Sequence, residues 1–256
     1  MIVRLPTAKL LNPKFPSGRF WSRRREIFLK NLVMKIIKID YKNPAPLLIK
    51  KAAKIIKEGG IVVAPTETVY AIFGNGLNEE TVKKILKLKK RKKDKGFDLT
   101  LYPYEKIFKF IQFNPLIPKI LEKFPDQPLS FALPRKAPLP GFLNPGFKTV
   151  AFHFFFSKLD KELFKYIDIP LIGTSANISE LPDVSSAEEV LNYFRHTFGS
   201  SFEPDLILDG GKLNKRKPSA IIELAGTDIK VIREGDILGS SAQKELEKIK
   251  KDTSIL

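Results

Sequence analysis

Four short clusters carry the side chains best suited to chemistry, and they offer cations and small hydroxyls. Pro65-Thr66-Glu67-Thr68-Val69-Tyr70 puts two threonines and a tyrosine directly after the apolar run Ile61-Val62-Val63-Ala64. That run reads as a strand buried on both faces, so the hydroxyls sit at a strand's carboxyl edge, where open α/β sheets bind ligands. Taken alone, the segment is equally a strand-to-helix turn whose hydroxyls satisfy local backbone. The second cluster is the cationic run Lys87-Leu88-Lys89-Lys90-Arg91-Lys92-Lys93-Asp94-Lys95-Gly96 at the end of a predicted helix. A solvated face complementing the helix dipole accounts for Lys90, Lys92 and Lys93. It accounts less well for Lys89, Arg91 and Lys95, because crowded like charges repel unless an anion such as a triphosphate sits among them. In the third cluster, Leu171-Ile172-Gly173-Thr174-Ser175-Ala176-Asn177, an apolar strand breaks into small polar residues. Thr174, Ser175 and Asn177 form either an Asx or Ser/Thr turn or a cradle for phosphate or carboxylate. The fourth is Lys217-Pro218-Ser219-Ala220, with Arg233 at the end of the last strand.

The rest of the composition narrows the chemistry further. With 0 Cys there is no thiolate nucleophile, disulfide framework or cysteine zinc site, which suits a reducing cytosol. Two histidines, His153 and His196, lie far apart and lack metal-ligand spacing. A formal charge of +17 favours anionic partners: nucleotides, nucleic acid or an acidic surface. No apolar run is long enough to cross a bilayer, so no membrane association is expected.

These clusters need a scaffold, and the apolar pattern supplies one. Lys35 to Tyr41 alternates as a half-buried strand, Asn43-Pro44-Ala45-Pro46 opens a helix, and Gly59-Gly60 closes it before the strand at Ile61. Asn78 caps the next helix, with Glu79 and Glu80 in its first turn and Val82, Ile85 and Leu86 on its buried stripe. Further strands are predicted at Phe97 to Tyr102, Leu129 to Leu133, Val150 to Phe156, Pro170 to Gly173, Leu206 to Leu208, Ser219 to Leu224 and Ile229 to Arg233. Ser185-Ser186-Ala187-Glu188 reads as a capping box for a helix reaching about Arg195. The pattern predicts an α/β fold with a mixed sheet covered by helices. Residues 1–34 stand apart as a basic extension, 35–238 form the main domain, and 239–256 a charged helix or fraying tail. Arg19, Arg23, Arg24, Arg25 and Trp21 in the extension are compatible with a nucleic-acid arm, a transit peptide, or an upstream start with Met34 as the native first residue.

Taken together and in this order, PTETVY (65–70), KLKKRKKDKG (87–96) with its Lys-x-Arg, and PLIGTSANIS (170–179) with its Ser-x-Asn resemble the YrdC/Sua5 family of threonylcarbamoyl-AMP synthases. The resemblance spans residues 35–238 and implies a short form with a twisted mixed sheet and a basic concave face. It implies a cytoplasmic nucleotidyltransferase that joins ATP, L-threonine and bicarbonate into threonylcarbamoyl-AMP for tRNA modification. Mg2+ is expected on the ATP phosphates. Expected partners are the tRNA-threonylcarbamoyl transferase proteins, with direct RNA binding in addition. Carried over by position, Thr66, Thr68 and Tyr70 shape the threonine pocket, and Lys89, Arg91 and Lys95 bind carboxylate and phosphates. Ser175 and Asn177 complete the nucleotide cradle with Thr174, and Ser219 and Arg233 face the triphosphate. Lys89 and Arg91 are the expected catalytic pair.

Several positions depart from the family pattern. Ala71-Ile72-Phe73 stands where Gly-Leu-Gly is usual, His153 where an arginine is, Glu180 where a glycine is, and Ala220 where a threonine is. These departures leave a second reading open, a catalytically weakened YrdC-like module that grips RNA.

Overall fold

A computed structural model describes residues 36–92, 95–125, 127–137, 139–154, 156–198, 204–214, 217–236 and 239–253. The chain divides into two units, residues 1–36 and 37–256, and the second carries everything discussed below. The readings of the basic extension lie outside the described residues.

In chain order the elements are β1 (Ile36–Lys38), α1 (Pro46–Lys57), β2 (Val62–Pro65), β3 (Tyr70–Asn75), α2 (Glu79–Lys89) and β4 (Leu99–Thr100). There follow a 3-10 helix (Tyr104–Lys109), α3 (Leu116–Lys123), β5 (Leu129–Pro134), β6 (Thr149–His153), α4 (Lys158–Phe164) and β7 (Leu171–Ser175). The chain continues through α5 (Ala187–Phe198), β8 (Leu206–Asp209), β9 (Ala220–Ala225), β10 (Asp228–Arg233) and α6 (Ser240–Thr253). All the strands join one mixed sheet in the order β1-β8-β2-β3-β7-β4-β6-β5-β9-β10, as an α/β pattern with both alternating and fully apolar strands requires.

Helix α1 begins with Pro46 in its first turn and buries Ile49, Ala52, Ala53 and Ile56. Each buried isoleucine contributes about 1.5–3 kcal/mol. Helix α2 is capped by the Asn78 side chain, which accepts from the Thr81 amide at 3.0 Å. It lies close against β3 because Gly74 has no side chain: a β-carbon there would stand 2.7 Å from both Ile85 Cδ1 and Thr81 Cγ2.

Residues 65–70 do not form a strand-to-helix turn. They close an antiparallel hairpin in which Pro65 pairs with Tyr70. The reason is local: Thr66 Oγ1 accepts from the amides of Thr68 and Val69, both at 3.2 Å, and donates to the Val69 carbonyl at 2.7 Å. The predicted strand at Phe97 to Tyr102 reduces to Leu99–Thr100. The cap of α5 falls one residue later than expected, with Ser186 Oγ accepting from the Glu189 amide. The C-terminal segment forms α6, with Ala242, Leu246 and Ile249 buried. No helix among the described residues is long and apolar enough to cross a membrane.

Because Gly74 faces α2 at van der Waals contact, Gly74→Ala is expected to cost about 1–3 kcal/mol by overpacking. Urea unfolding measures this directly, and an unchanged midpoint would show that α2 can retreat freely.

Candidate active site

Alternation along β3 sends Ile72 and Gly74 toward the helices and Ala71 and Phe73 to the other face, where a cavity of about 370 Å³ opens. Its floor follows the cross-strand register: Phe73 opposes Gly173, Thr100 opposes His153, His153 opposes Ser130, and Ser130 opposes Ile221. The Phe73 ring fills the space over Gly173, 3.9 Å from where a β-carbon would be. This chain therefore has an aromatic floor at one end.

The lining is also cationic. Helix α2 ends in a Schellman turn, with the Arg91 amide donating to the Leu86 carbonyl at 3.0 Å and the Lys90 amide to that of Lys87 at 3.1 Å. Lys90 occupies the left-handed position usually given to glycine, at φ 46°. That reversal sends Lys89 inward and Arg91 to the cavity. Arg91 Nε donates to the Lys95 carbonyl at 3.0 Å, Nη2 donates to the Gly96 carbonyl, and the guanidinium lies 4.9 Å over the Phe97 ring. Lys95 lines the same cavity.

Arg233 arrives from the far edge through a β-bulge. Val231 opposes Ile222, but Arg233 opposes Ile221, so β10 contains one extra residue. Opposed residues share a face, and Ile221 lines the cavity, so the bulge turns Arg233 toward it as well. Its Nε donates to the Ser219 carbonyl at 2.7 Å, and its Nη2 stands 3.8 Å from Asp98 Oδ2. Burial first, then repulsion from Arg233, lowers the pKa of Arg91, with Asp98 opposing. Burial raises the Asp98 carboxyl against the pull of both arginines. Two partly buried guanidiniums sharing one carboxylate make a site that a further anion stabilises.

Of the residues singled out by sequence, Thr66, Thr68, Arg91, Lys95, Thr174, Ser175, Ser219 and Arg233 all line this cavity. Tyr70, Lys89 and Asn177 do not. Tyr70 is buried, its hydroxyl donating to the Gly211 carbonyl at 2.7 Å and accepting from the Gly210 amide at 3.0 Å. Asn177 Oδ1 accepts from Ser175 Oγ at 2.6 Å, and its Nδ2 donates to the Leu181 carbonyl at 2.5 Å. Lys89 Nζ donates to the Ser175 carbonyl at 2.5 Å, the Asn177 carbonyl at 3.0 Å and Asn177 Oδ1 at 3.1 Å.

Three carboxylates in the lining were given no role by the sequence reading: Glu67, inside the first hydroxyl cluster, Asp98 and Asp160. Asp98 falls in a weak strand pattern just beyond the cationic run, and that adjacency was its only signal. Asp160 is the third residue of α4 in a capping box with Ser157, whose hydroxyl donates to Asp160 Oδ2 at 2.7 Å. Among the described residues no group of three His, Cys, Asp or Glu side chains could hold a metal ion.

His153 Nδ1 sits 3.3 Å from Ser130 Oγ, and burial, reinforced by Arg233, pushes its pKa down to about 4. The imidazole is neutral at physiological pH, so the cationic character of the cavity rests on Arg91, Lys95 and Arg233. Glu180 has a left-handed backbone, φ 73°, the conformation a glycine would supply. Its carboxylate reaches Lys95 at 3.1 Å and Lys92 at 3.4 Å.

A mixed sheet carrying a cationic, hydroxyl-lined cavity on one face defines an α/β protein built around anionic ligands. The family pattern Sua5_yciO_yrdC, described as Telomere recombination, matches residues 54–235, and the chain belongs to that family. A Methanocaldococcus jannaschii relative is 30% identical over 210 residues, 82% of this chain and 95% of its own length. The threonylcarbamoyl-AMP synthase of Actinobacillus succinogenes is 33% identical over 186 residues, 72% of this chain and 97% of its own. The crystal structure of Pyrococcus abyssi Sua5 complexed with L-threonine matches with a TM-score of 0.71 at 29% identity. That match covers 84% of this chain, which spans 60% of the Pyrococcus chain.

Two outcomes are expected. The unfolded state protonates a histidine near pH 6.5 and the folded state only near 4, so stability falls as pH drops through that window. His153→Gln should flatten this acid limb when urea midpoints are compared at neutral and acid pH. Glu180→Gly relieves left-handed strain and gives up only solvent-screened ion pairs, so the thermal midpoint should rise. A fall would mean that the pairing to Lys92 and Lys95 dominates.

Proposed function

We propose that this cavity is where ATP, L-threonine and bicarbonate are converted to threonylcarbamoyl-AMP and pyrophosphate, a nucleotidyl transfer that supplies the activated group for N6-threonylcarbamoyladenosine in tRNA. The observation that carries the reading is convergence: Arg91 and Lys95 from the run after α2, and Arg233 from the end of β10, meet Thr66, Thr68, Thr174 and Ser175 around one hollow. The relatives' names and the threonine-bound Pyrococcus structure supply the substrate class.

In this reaction the threonine amine adds to bicarbonate with loss of water, and an oxygen of the resulting carbamate attacks the α-phosphorus of ATP. The bond to the bridging oxygen breaks and pyrophosphate departs. Negative charge accumulates on the phosphates and on the amino acid's carboxylate, and no covalent enzyme intermediate is required. What the chain contributes is positioning and fixed positive charge. Arg91 is suited to this because the loop at residues 95–97 already holds its guanidinium, so little reorganisation is needed when an anion arrives. Arg233, fixed through Ser219, offers a second guanidinium, and Lys95 becomes available once it leaves Glu180. The hydroxyl wall formed by Thr68, Thr174 and Ser175 suits the polar groups of an amino acid or ribose.

Mg2+ would ride on the phosphates and neutralise part of their charge. The donor set fits that role, since Glu67, Asp98 and Asp160 line the cavity and, among the described residues, no three such side chains come together as a cage. The product would pass to tRNA-threonylcarbamoyl transferase proteins in the cytoplasm, with the basic surface of the chain meeting tRNA directly.

Pyrophosphate release from ATP should require both threonine and bicarbonate. Arg91→Ala should lower it by about 10²-fold or more, the scale for removing one preorganised charge partner, with the fold intact by circular dichroism. Turnover unchanged in that variant would remove Arg91 from the mechanism. Steeply salt-dependent RNA binding without ATP consumption would instead identify an RNA-gripping module.

A further inference from the structure

We infer that Lys89 is a positioning residue, a buried ammonium that ties the end of α2 to residues 175–179 and sets the hydroxyl wall without touching substrate. The inference deepens the reading above and rests on it for the identity of the reaction. Lys89 is 1% exposed and is absent from the cavity lining, although Arg91, two residues on, is part of it. An ammonium has three N–H donors, and each has an acceptor here: the Ser175 carbonyl, the Asn177 carbonyl and Asn177 Oδ1. No donor remains for a phosphate.

The connection also runs through the backbone. The Ser179 amide donates to the Lys89 carbonyl at 2.8 Å. Asn177 is pinned in turn by Ser175 Oγ and by the Leu181 carbonyl, so residues 175–181 form a network closed around one cation. Reaching substrate would break three charge-assisted bonds and take the ammonium away from the Ser175 and Asn177 carbonyls and from Asn177 Oδ1. Burial first, then the Arg91 charge, lowers the Lys89 pKa to about 7 against Asp183, while the three oxygens around Nζ favour the charged form.

The geometry has a direct effect on the site. Arg91 and Lys89 flank the left-handed Lys90, so one helix end delivers a guanidinium to the cavity and an anchor to Ser175 and Asn177. Losing the anchor would let the wall drift relative to the guanidinium.

Hydrogen exchange of the backbone amides at 175–179, measured on the full chain without substrates, tests this independently of any activity. Lys89→Met should speed exchange there by about tenfold or more, the equivalent of one lost charged hydrogen bond. ATP dissociation constants should change by less than about threefold while kcat falls by about 10²-fold, because alignment is lost and not a phosphate contact. Unchanged exchange together with ATP binding weakened tenfold would overturn the inference and make Lys89 a ligand contact. Should Lys89→Met fail to fold, Asn177→Ala keeps the ammonium and removes one acceptor, and should loosen the same amides; unchanged protection would equally overturn it. Asn177→Asp, which puts a carboxylate beside Nζ, should move the basic limb of the activity profile upward by about 1–3 pH units. A stationary limb in a variant that still turns over would count against the anchor.

Discussion

A single ammonium, buried with its three donors satisfied by Ser175 and Asn177, fixes how the two halves of the cavity face each other. Such a charge is costly to bury unless hydrogen-bonded, and here all of its acceptors come from the one segment it holds. Residues 175–181 leave the end of β7 and make little regular structure before α5 begins at Ala187. Lys89 gives that segment the definition a longer strand would otherwise supply. The placement of Lys89 depends on α2, and the placement of α2 depends on the missing side chain at Gly74. A chain of contacts therefore runs from a glycine on β3, through a helix, to the hydroxyls of the cavity wall.

The electrostatic design is economical in a particular sense. Only part of the chain's net charge of +17 concerns the cavity, where Arg91, Lys95 and Arg233 are each already in contact with protein oxygen. Asp98 offsets the mutual repulsion of the two arginines, and Glu180 neutralises the charge of Lys95. His153, kept neutral by burial, adds polarity to the floor without adding charge. The departures from the family pattern at Phe73 and His153 thus sit on the floor, while the cations stand at its border.

Much of the scaffold was legible in the apolar pattern: the continuous run Ile61 to Ala64 coincides with β2, whereas the alternating stretch Lys35 to Tyr41 keeps a strand only at Ile36–Lys38, before a turn that contains Tyr41. The hairpin at 65–70 was not, since Thr66 decides it through three hydrogen bonds that a threonine in a helix-entry turn could also make. Membership of the cavity was legible for the hydroxyl and cationic clusters as groups. It was not legible residue by residue: in Lys89-Lys90-Arg91 a left-handed residue that is not glycine reverses the chain, and nothing in composition announces that. Tyr70 follows the same logic, since its position beside two cavity threonines hides that its hydroxyl serves Gly210 and Gly211 across the sheet. Asp98 escaped because one carboxylate after seven cations looks like charge balance.

The bulge on β10 does more than rotate an arginine. That strand is the last in the sheet, and a regular, unpaired edge is an invitation for another chain to add itself. The extra residue leaves Ile232 half exposed and shifts the ladder, while Asp228 and Lys230 place charge along the same strand. One irregularity thereby turns an arginine to the cavity and interrupts the regular edge on which sheet-to-sheet pairing would build.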